Sequence, residues 1–179
     1  MVRFSARYLT VFLGFALAPP AHADEIYGGF AAHQLVTIIA VDSNQDGVDL
    51  QAGYRGDRIE ALSVIGKPSP YLLASVNLSG DTSFVAVGLS WKFGDKIYVR
   101  PGIGLAIHDG PKLRFAPDGS QTQLGSRVLF EPELSVGVRL SVKVDLEATW
   151  VHLSHAGIFS RVQNPGLDII GARLLLKLP

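Results

Sequence analysis

Three side chains near the C-terminus have the types that a serine hydrolase needs. His152 and Ser154 stand two residues apart, and Asp168 follows after a loop. Side chains two apart on a β-strand point to the same side, so a strand here would place the imidazole beside the hydroxyl. An imidazole can take the proton of that hydroxyl, and a carboxylate can hold the imidazole in the required tautomer. The spacing therefore predicts nucleophile, base and acid roles for Ser154, His152 and Asp168.

A bend between these residues carries a second set of polar groups. Asn164, Pro165 and Gly166 precede Asp168 directly, and we expect Asn164 or the backbone N–H groups of this bend to stabilise an oxyanion. A simpler interpretation remains open at this point. Polar residues also mark the place where a membrane strand leaves the bilayer, and periodicity alone favours that interpretation.

The segments that would position these residues all alternate with the period of a β-strand. Hydrophobic residues make up 47% of the chain, yet helical periodicity is hard to find. The clearest alternating segments are 82–93, 97–108, 127–140, 142–150 and 168–178, and weaker ones are 26–41, 48–55 and 71–78. We therefore predict an all-β fold, an eight-stranded antiparallel transmembrane β-barrel.

Alternation by itself fits two kinds of barrel. A soluble lipocalin-like barrel keeps apolar residues inside and charges outside, whereas a membrane barrel does the reverse. The apolar faces here are large and almost uninterrupted, and the opposite faces mix acidic residues with arginine and glycine, as a narrow ion-paired lumen requires. Charged residues are only 18% of the chain, which is low for the surface of a small soluble barrel. These observations favour the membrane barrel.

Composition argues against several other function classes. The formal net charge is +0 and the basic residues are scattered, which is not the pattern of a nucleic-acid-binding protein. The histidines are too dispersed for a metal site, and we expect neither a metal nor a cofactor. The segment 42–47 resembles the start of a calcium loop, but Gly53 occupies the twelfth position, where such a loop needs glutamate.

The first 23 residues resemble a secretory signal peptide. Arg3 and Arg7 precede an apolar stretch at 8–17, and Ala21-His22-Ala23 reads as a cleavage site. The apolar stretch is too short to span a bilayer as a helix. We therefore predict a signal peptide at 1–23 and an outer-membrane β-barrel at 24–179.

The expected connections give the barrel an orientation. With both termini in the periplasm, 93–96 and residue 141 become short periplasmic links, and 109–126 and 155–167 become long extracellular loops. This matches the usual asymmetry, except that 56–70 would be a long periplasmic link and 79–81 a short extracellular one. Strand parity then predicts that His152, Ser154 and Asp168 lie on the lipid-facing outer wall at the extracellular rim.

These residues resemble the signature of the lipid A 3-O-deacylase (PagL) family of outer-membrane enzymes. The family pattern is roughly His-x-Ser-Asn on the penultimate strand, then a loop with Asn and Gly, then an acidic residue that opens the last strand. The matching residues are His152, Ser154, Asn164, Gly166 and Asp168. His155 stands where the family usually has asparagine, and the acid is aspartate rather than the glutamate of some members.

The resemblance implies a carboxylic ester hydrolase in the outer membrane of a Gram-negative bacterium. Its implied substrate is lipid A or lipopolysaccharide, from which it removes the 3-O-linked acyl chain, and its implied surroundings are outer-membrane lipids. The implied reaction uses no metal. The implied catalytic residues are His152, Ser154 and Asp168, and the implied oxyanion or substrate-binding residues are Asn164, Gly166 and His155. A homodimer stays open. The alternatives are a non-enzymatic small barrel, structural or adhesive, and a soluble periplasmic ligand-binding barrel.

Overall fold

The structure is a computed structural model that describes residues 24–110, 124–159 and 164–179. The predicted signal peptide at 1–23 lies outside the described residues and stays a prediction. Within the described residues, no helix has the length and apolar character needed to cross a bilayer. The helical content of these residues is a 3-10 helix at Glu60–Ile65.

Antiparallel strands form one closed sheet. The strands are β1 (Glu25–Ala32), β2 (Val48–Arg55), β3 (Ser69–Asn77), β4 (Phe84–Ser90), β5 (Phe93–Gly94), β6 (Ile97–His108), β7 (Val128–Arg139), β8 (Val144–Leu153) and β9 (Leu167–Lys177). Strand β5 has two residues and pairs only with β6. Because β4 also pairs with β6 and β1 pairs with β9, the other eight strands close a barrel. The predicted fold is confirmed.

The barrel carries its polar side chains inside and its apolar side chains outside. Alternate residues on the strands are buried and polar, among them Gln51, Arg55, Ser75, Arg100, Glu131, Glu133, Asp145, Glu147 and Arg173. The residues between them are exposed and apolar, among them Ile26, Leu50, Leu72, Val87, Val99, Leu105, Val136, Leu146 and Leu174. An apolar exterior suits hydrocarbon and not water, so the chain is a membrane barrel and the soluble alternative is wrong.

Ion pairs fill the lumen, as the mixture of charges in the sequence predicts. Each buried arginine faces a glutamate on another strand. The closest pairs are Arg173–Glu133 at 2.8 Å, Arg100–Glu147 at 3.0 Å and Arg55–Glu25 at 3.1 Å. Near the termini, Lys92 and Lys177 both contact Asp145, at 2.8 Å and 3.1 Å. These pairs leave the buried charges with opposite charges beside them, which offsets much of their desolvation cost.

The connections alternate between the two ends of the barrel. Of the described residues, the loop end carries 33–47, 78–83, 109–110, 124–127, 154–159 and 164–166. The turn end carries 56–68, 91–96, 140–143, residue 24 and residues 178–179. The predicted order of short and long links therefore holds. The long link at the turn end includes the 3-10 helix, which ends at Gly66 with a φ of 89°.

The first strand is shorter than the alternation predicts. The segment 26–41 was expected to be one strand, but β1 ends at Ala32. Gln34 has a φ of 58°, in the left-handed region that breaks a strand. The Thr37 hydroxyl then accepts hydrogen bonds from the N–H groups of Ile39 and Ala40, both at 3.1 Å, which closes a turn. Residues 35–41, called the roof here, fold over β9 instead of extending β1.

Replacing Arg173 tests how strongly the barrel depends on the lumen ion pairs. Arg173 is fully buried and donates to Glu133 and to Gln51, both at 2.8 Å. We expect Arg173→Met to lower the free energy of unfolding by about 3–5 kcal/mol, because Glu133 loses its closest positive partner. The measurement is the urea unfolding midpoint of the barrel refolded in detergent micelles.

The neighbouring residue supplies the matched control. Leu174→Met also introduces a methionine, one residue away on the exposed apolar side of β9. We expect its unfolding free energy to stay within about 1 kcal/mol of the wild type. Equal midpoints for the two variants would mean that the lumen pairs contribute little to stability.

Candidate active site

His152 and Asp168 form a hydrogen-bonded pair at the loop end of the barrel. They stand directly opposite each other in the register of β8 and β9. The distance from His152 Nδ1 to Asp168 Oδ1 is 2.6 Å. Because opposite residues on antiparallel strands have close Cβ atoms, an aspartate is long enough to reach the ring here. The pair holds Nδ1, so Nε2 is the ring nitrogen that can act on a hydroxyl.

Both side chains lie on the outer face of their strands but are covered. They share strand parity with Leu146 and Leu174, which are exposed. Nevertheless His152 is 7% exposed and Asp168 is 0% exposed. The Trp150 indole stacks on the His152 ring from the same face, with 5.9 Å between the centroids. Strand parity is therefore as predicted, whereas the cover over the pair is a feature that the sequence did not indicate.

The roof provides this cover through contacts with the start of β9. The N–H of Leu35 donates to the backbone oxygen of Asp168 at 2.8 Å, and the N–H of Val41 donates to that of Pro165 at 2.9 Å. The Thr37 hydroxyl donates to Asp168 Oδ2 at 2.5 Å. Both carboxylate oxygens of Asp168 therefore have a partner, His152 on one side and Thr37 on the other.

Gly166 allows the roof to approach the histidine. Its φ is 70°, and a Cβ at this position would lie 2.6 Å from the Ile39 carbonyl oxygen and 2.9 Å from His152 Cε1. Both distances are too short for real contacts, so a side chain here would push the roof and the ring apart. Close packing at the site thus explains why a glycine stands at position 166.

Ser154 follows β8 directly and is held by the neighbouring strand. Its N–H donates to the Phe130 carbonyl at 3.1 Å, and its own carbonyl accepts from the Phe130 N–H at 2.7 Å. The Phe130 ring stacks on Phe159, with 5.0 Å between the centroids. Ser154 is half-buried. By strand parity it shares the outer face with His152, one position nearer the loop end.

The other predicted site residues organise the loop between β8 and β9. Asn164 is exposed, and its Oδ1 accepts a hydrogen bond from the His155 N–H at 3.0 Å. With Oδ1 engaged, its amide N–H groups are the end that can donate. His155 is buried, and its Nδ1 accepts from the N–H of Gly157 at 3.1 Å. Asn164 therefore links the two ends of this loop beside the His152–Asp168 pair.

A second histidine anchors the chain just before the roof. His33 Nδ1 lies 2.8 Å from Asp49 Oδ1, and its Nε2 lies 3.2 Å from Gln45 Oε1. Asp49 also accepts from the hydroxyl of Ser75 at 2.9 Å. Burial lowers the pKa of His33, but the hydrogen bond and negative charge of Asp49, helped by Asp81, more than offset it. The pKa of His33 consequently lies above its ordinary value of 6.5.

The comparison with protein families gives the decisive result. A family model described as "Lipid A 3-O-deacylase (PagL)" matches residues 45–177. The match spans most of the chain and includes all of the predicted site residues. The chain belongs to the lipid A 3-O-deacylase (PagL) family. No curated protein matches the sequence.

Solved outer-membrane barrels share the fold of this PagL family member. The crystal structure of the outer membrane enzyme PagL aligns with a TM-score of 0.59 at 18% identity, over 86% of this chain and 99% of that one. Neisserial surface protein A gives 0.53 at 14% identity, over 87% and 97%. A de novo designed transmembrane β-barrel also gives 0.53, at 12% identity, over 90% and 100%. The chain is an outer-membrane β-barrel of the kind found in Gram-negative bacteria.

Thr37 is the site contact that the sequence did not predict. It lies 131 residues from Asp168 in the chain, inside a stretch whose composition reads as the end of a strand. It also precedes the residues that the PagL family model matches. No spacing rule connects a hydroxyl in the first loop with an acid on the last strand.

Among the described residues, no group of three or more histidines and acids is placed to hold a metal ion.

Substitution of Gly166 tests whether the roof rests on it. Gly166→Ala forces a left-handed residue to carry a Cβ against Ile39 and His152, which costs about 1–3 kcal/mol of local strain. We expect faster amide hydrogen exchange over the roof, measured by mass spectrometry in detergent micelles.

Gly157 provides the matched control for this change. Its φ of 72° is nearly the same, but a Cβ there would meet nothing within 4 Å. Gly157→Ala should therefore leave roof exchange at the wild-type rate. If both variants open the roof equally, backbone strain in the loop is responsible and not the contact with Ile39.

Protonation of His33 should tighten the first loop. Because the folded-state pKa of His33 is raised, its stabilising effect is complete below the unfolded value and is lost as pH rises through the folded value. We expect the hydrogen-exchange protection of residues 34–47, corrected for intrinsic rates, to fall as the pH rises above 6.5, the ordinary pKa of histidine. His33→Asn should remove this dependence, and an unchanged dependence in that variant would assign the effect to another group.

Proposed function

We propose that this barrel is an esterase that hydrolyses the 3-O-linked acyl chain of lipid A. The observation that carries the proposal is the His152–Asp168 hydrogen bond on the outer face of β8 and β9, with Ser154 on the same face. These residues follow the order of the family pattern, in a chain that belongs to the PagL family. The activity is thus that of a carboxylic ester hydrolase with a Ser-His-Asp triad.

The reaction follows from the hydrogen-bonding capacity of each side chain. Ser154 Oγ attacks the ester carbonyl carbon while its proton passes to His152 Nε2. Asp168 holds the other ring nitrogen and stabilises the positive charge that forms. The bond from the carbonyl carbon to the sugar oxygen then breaks, and that oxygen takes the proton from His152. A water molecule, deprotonated by His152, then attacks the acyl carbon. The bond from that carbon to Ser154 Oγ breaks, Oγ takes the proton back from His152, and the fatty acid leaves.

The loop before β9 supplies groups for the oxyanion of this reaction. The side-chain oxygen of Asn164 is engaged with the His155 N–H, so its amide N–H groups are the ones that donate to the oxyanion. The backbone N–H groups of the Asn164–Gly166 bend are a further source of donors. His155 replaces the usual asparagine of the family pattern, so we assign it to holding the loop through Gly157. Gly166 provides the space that His152 needs.

The position of the triad suits a substrate that lies in the membrane. It sits on the outer wall at the loop end, which the predicted orientation makes extracellular, where lipid A of the outer leaflet would meet it laterally. The exposed side chains of Val36, Ile38 and Ile39 extend an apolar surface beside it. Export would use the predicted signal peptide at 1–23. The homodimer stays a prediction.

Removal of the nucleophile tests this function. We expect Ser154→Ala to abolish release of the 3-O-linked acyl chain, because no other group in the proposed mechanism forms the acyl-enzyme. The measurement is mass spectrometry of lipid A from Gram-negative cells that express the wild type or the variant. The heat-modifiable mobility of each barrel on gels shows that it is folded.

A second serine gives the control for this test. Ser63→Ala makes the same change in the 3-10 helix at the turn end, where the serine is exposed, and should leave deacylation unchanged. A folded wild type that leaves lipid A intact would favour the alternative of a non-enzymatic barrel. Full deacylation by Ser154→Ala would disprove the assignment of the nucleophile.

A further inference from the structure

We infer that Thr37 is a positioning residue that fixes the Asp168 carboxylate from the roof. The inference rests on the proposed function, because it assigns Thr37 a part in the same triad. The observation that carries it is the hydrogen bond from the Thr37 hydroxyl to Asp168 Oδ2, while Asp168 Oδ1 binds the His152 ring.

The hydroxyl of Thr37 can donate in only one direction. A hydroxyl has one proton and two lone pairs. Its oxygen already accepts from the N–H groups of Ile39 and Ala40, both at 3.1 Å. These two bonds use the lone pairs, so the proton points to the carboxylate of Asp168. Thr37 therefore acts as a donor to the ionised acid, and such charge-assisted bonds are the stronger kind.

Backbone hydrogen bonds hold the two ends of the roof, in addition to the turn that the Thr37 hydroxyl closes with Ile39 and Ala40. The hydrogen bonds from Leu35 to Asp168 and from Val41 to Pro165 fix the two ends of the segment against the start of β9. Thr37 lies between these two ends. The donor is thus carried on a short loop that is tied at both ends to the strand that bears the acid.

The arrangement separates Asp168 from its surroundings. Thr37 is exposed, whereas Asp168 is fully buried. The threonine therefore connects the buried carboxylate to the exposed part of the roof. With both oxygens bound, the carboxylate cannot rotate away from His152 without losing a hydrogen bond. Thr37 thus keeps the acid in the orientation that holds the imidazole.

Replacing the hydroxyl tests this role. Thr37→Val keeps the shape and removes the hydroxyl, both as donor to Asp168 and as acceptor for the N–H groups of Ile39 and Ala40. Thr37→Ser keeps the hydroxyl. We expect Thr37→Val to lower kcat by about 10- to 100-fold with KM little changed, because a hydrogen bond to a charged group is lost. Thr37→Ser should restore kcat to within about threefold of the wild type. The assay measures fatty acid released from purified lipid A with a 3-O-linked acyl chain in detergent micelles.

A control within the same loop separates positioning from loop structure. Gln34 precedes the roof, and its side-chain amide donates to the carbonyl of Val41 at 2.8 Å. Its side-chain oxygen also accepts from the Ser43 hydroxyl. Gln34→Ala therefore removes two hydrogen bonds of this loop without touching Asp168, and its kcat should equal that of the wild type. Hydrogen exchange over residues 35–41 shows whether each variant keeps the roof closed.

A double-mutant cycle with Asp168 gives a readout that a structural role would not produce. If Thr37 acts through the carboxylate, adding Thr37→Val to Asp168→Asn should cost little beyond the single Asp168→Asn change. A further loss by the same factor as in the wild type would overturn the inference. An equal fall of kcat in Gln34→Ala would also overturn it, and so would wild-type kcat in Thr37→Val.

The same experiment distinguishes failure of the inference from failure of the proposed function. A wild type that is active beside an equally active Thr37→Val overturns the inference alone. A folded wild type that releases no fatty acid overturns the proposed function, and the inference with it.

Discussion

Hydrocarbon cannot solvate charge, and every part of this barrel depends on that constraint. On the strands, the charged side chains turn mostly into the lumen, and the side chains that turn outward are mostly apolar. The lumen tolerates the charges because each arginine finds a glutamate on another strand, as Arg173 does with Glu133. The closed sheet satisfies the backbone in the same way, since each of the eight strands that close the barrel has a partner on both sides.

The candidate active site is an exception to this pattern, and its contacts show how the free-energy cost of placing a charge on the outer face is limited. Asp168 has outward parity, yet it is fully buried. An ionised carboxylate on an apolar outer wall would be expensive without partners. Here His152 binds one oxygen, Thr37 binds the other, and the backbone of the roof closes over them. The acid therefore sits in a small polar enclosure on the outside of the barrel and not in the lumen.

Most of the fold could be predicted from sequence because alternation is a local property. The bounds of the predicted segments 97–108 and 127–140 agree closely with those of β6 and β7. The pairing of His152 with Asp168 follows from a hairpin that joins β8 to β9. The end of β1 could not be predicted, since the apolar residues after Ala32 continue to resemble a strand until the backbone turns at Gln34. The role of Thr37 could not be predicted either, because its contact with Asp168 depends on closure of the whole sheet.

That dependence has a consequence for the order of assembly. The hairpin of β8 and β9 can bring His152 and Asp168 together by itself, because the two strands are neighbours in the chain. The roof, in contrast, follows β1, and β1 reaches β9 only when the first and last strands pair. The contact of Thr37 with Asp168 thus forms in the same event that removes the last open edge of the sheet. A partly assembled chain would carry the His152–Asp168 pair without its cover.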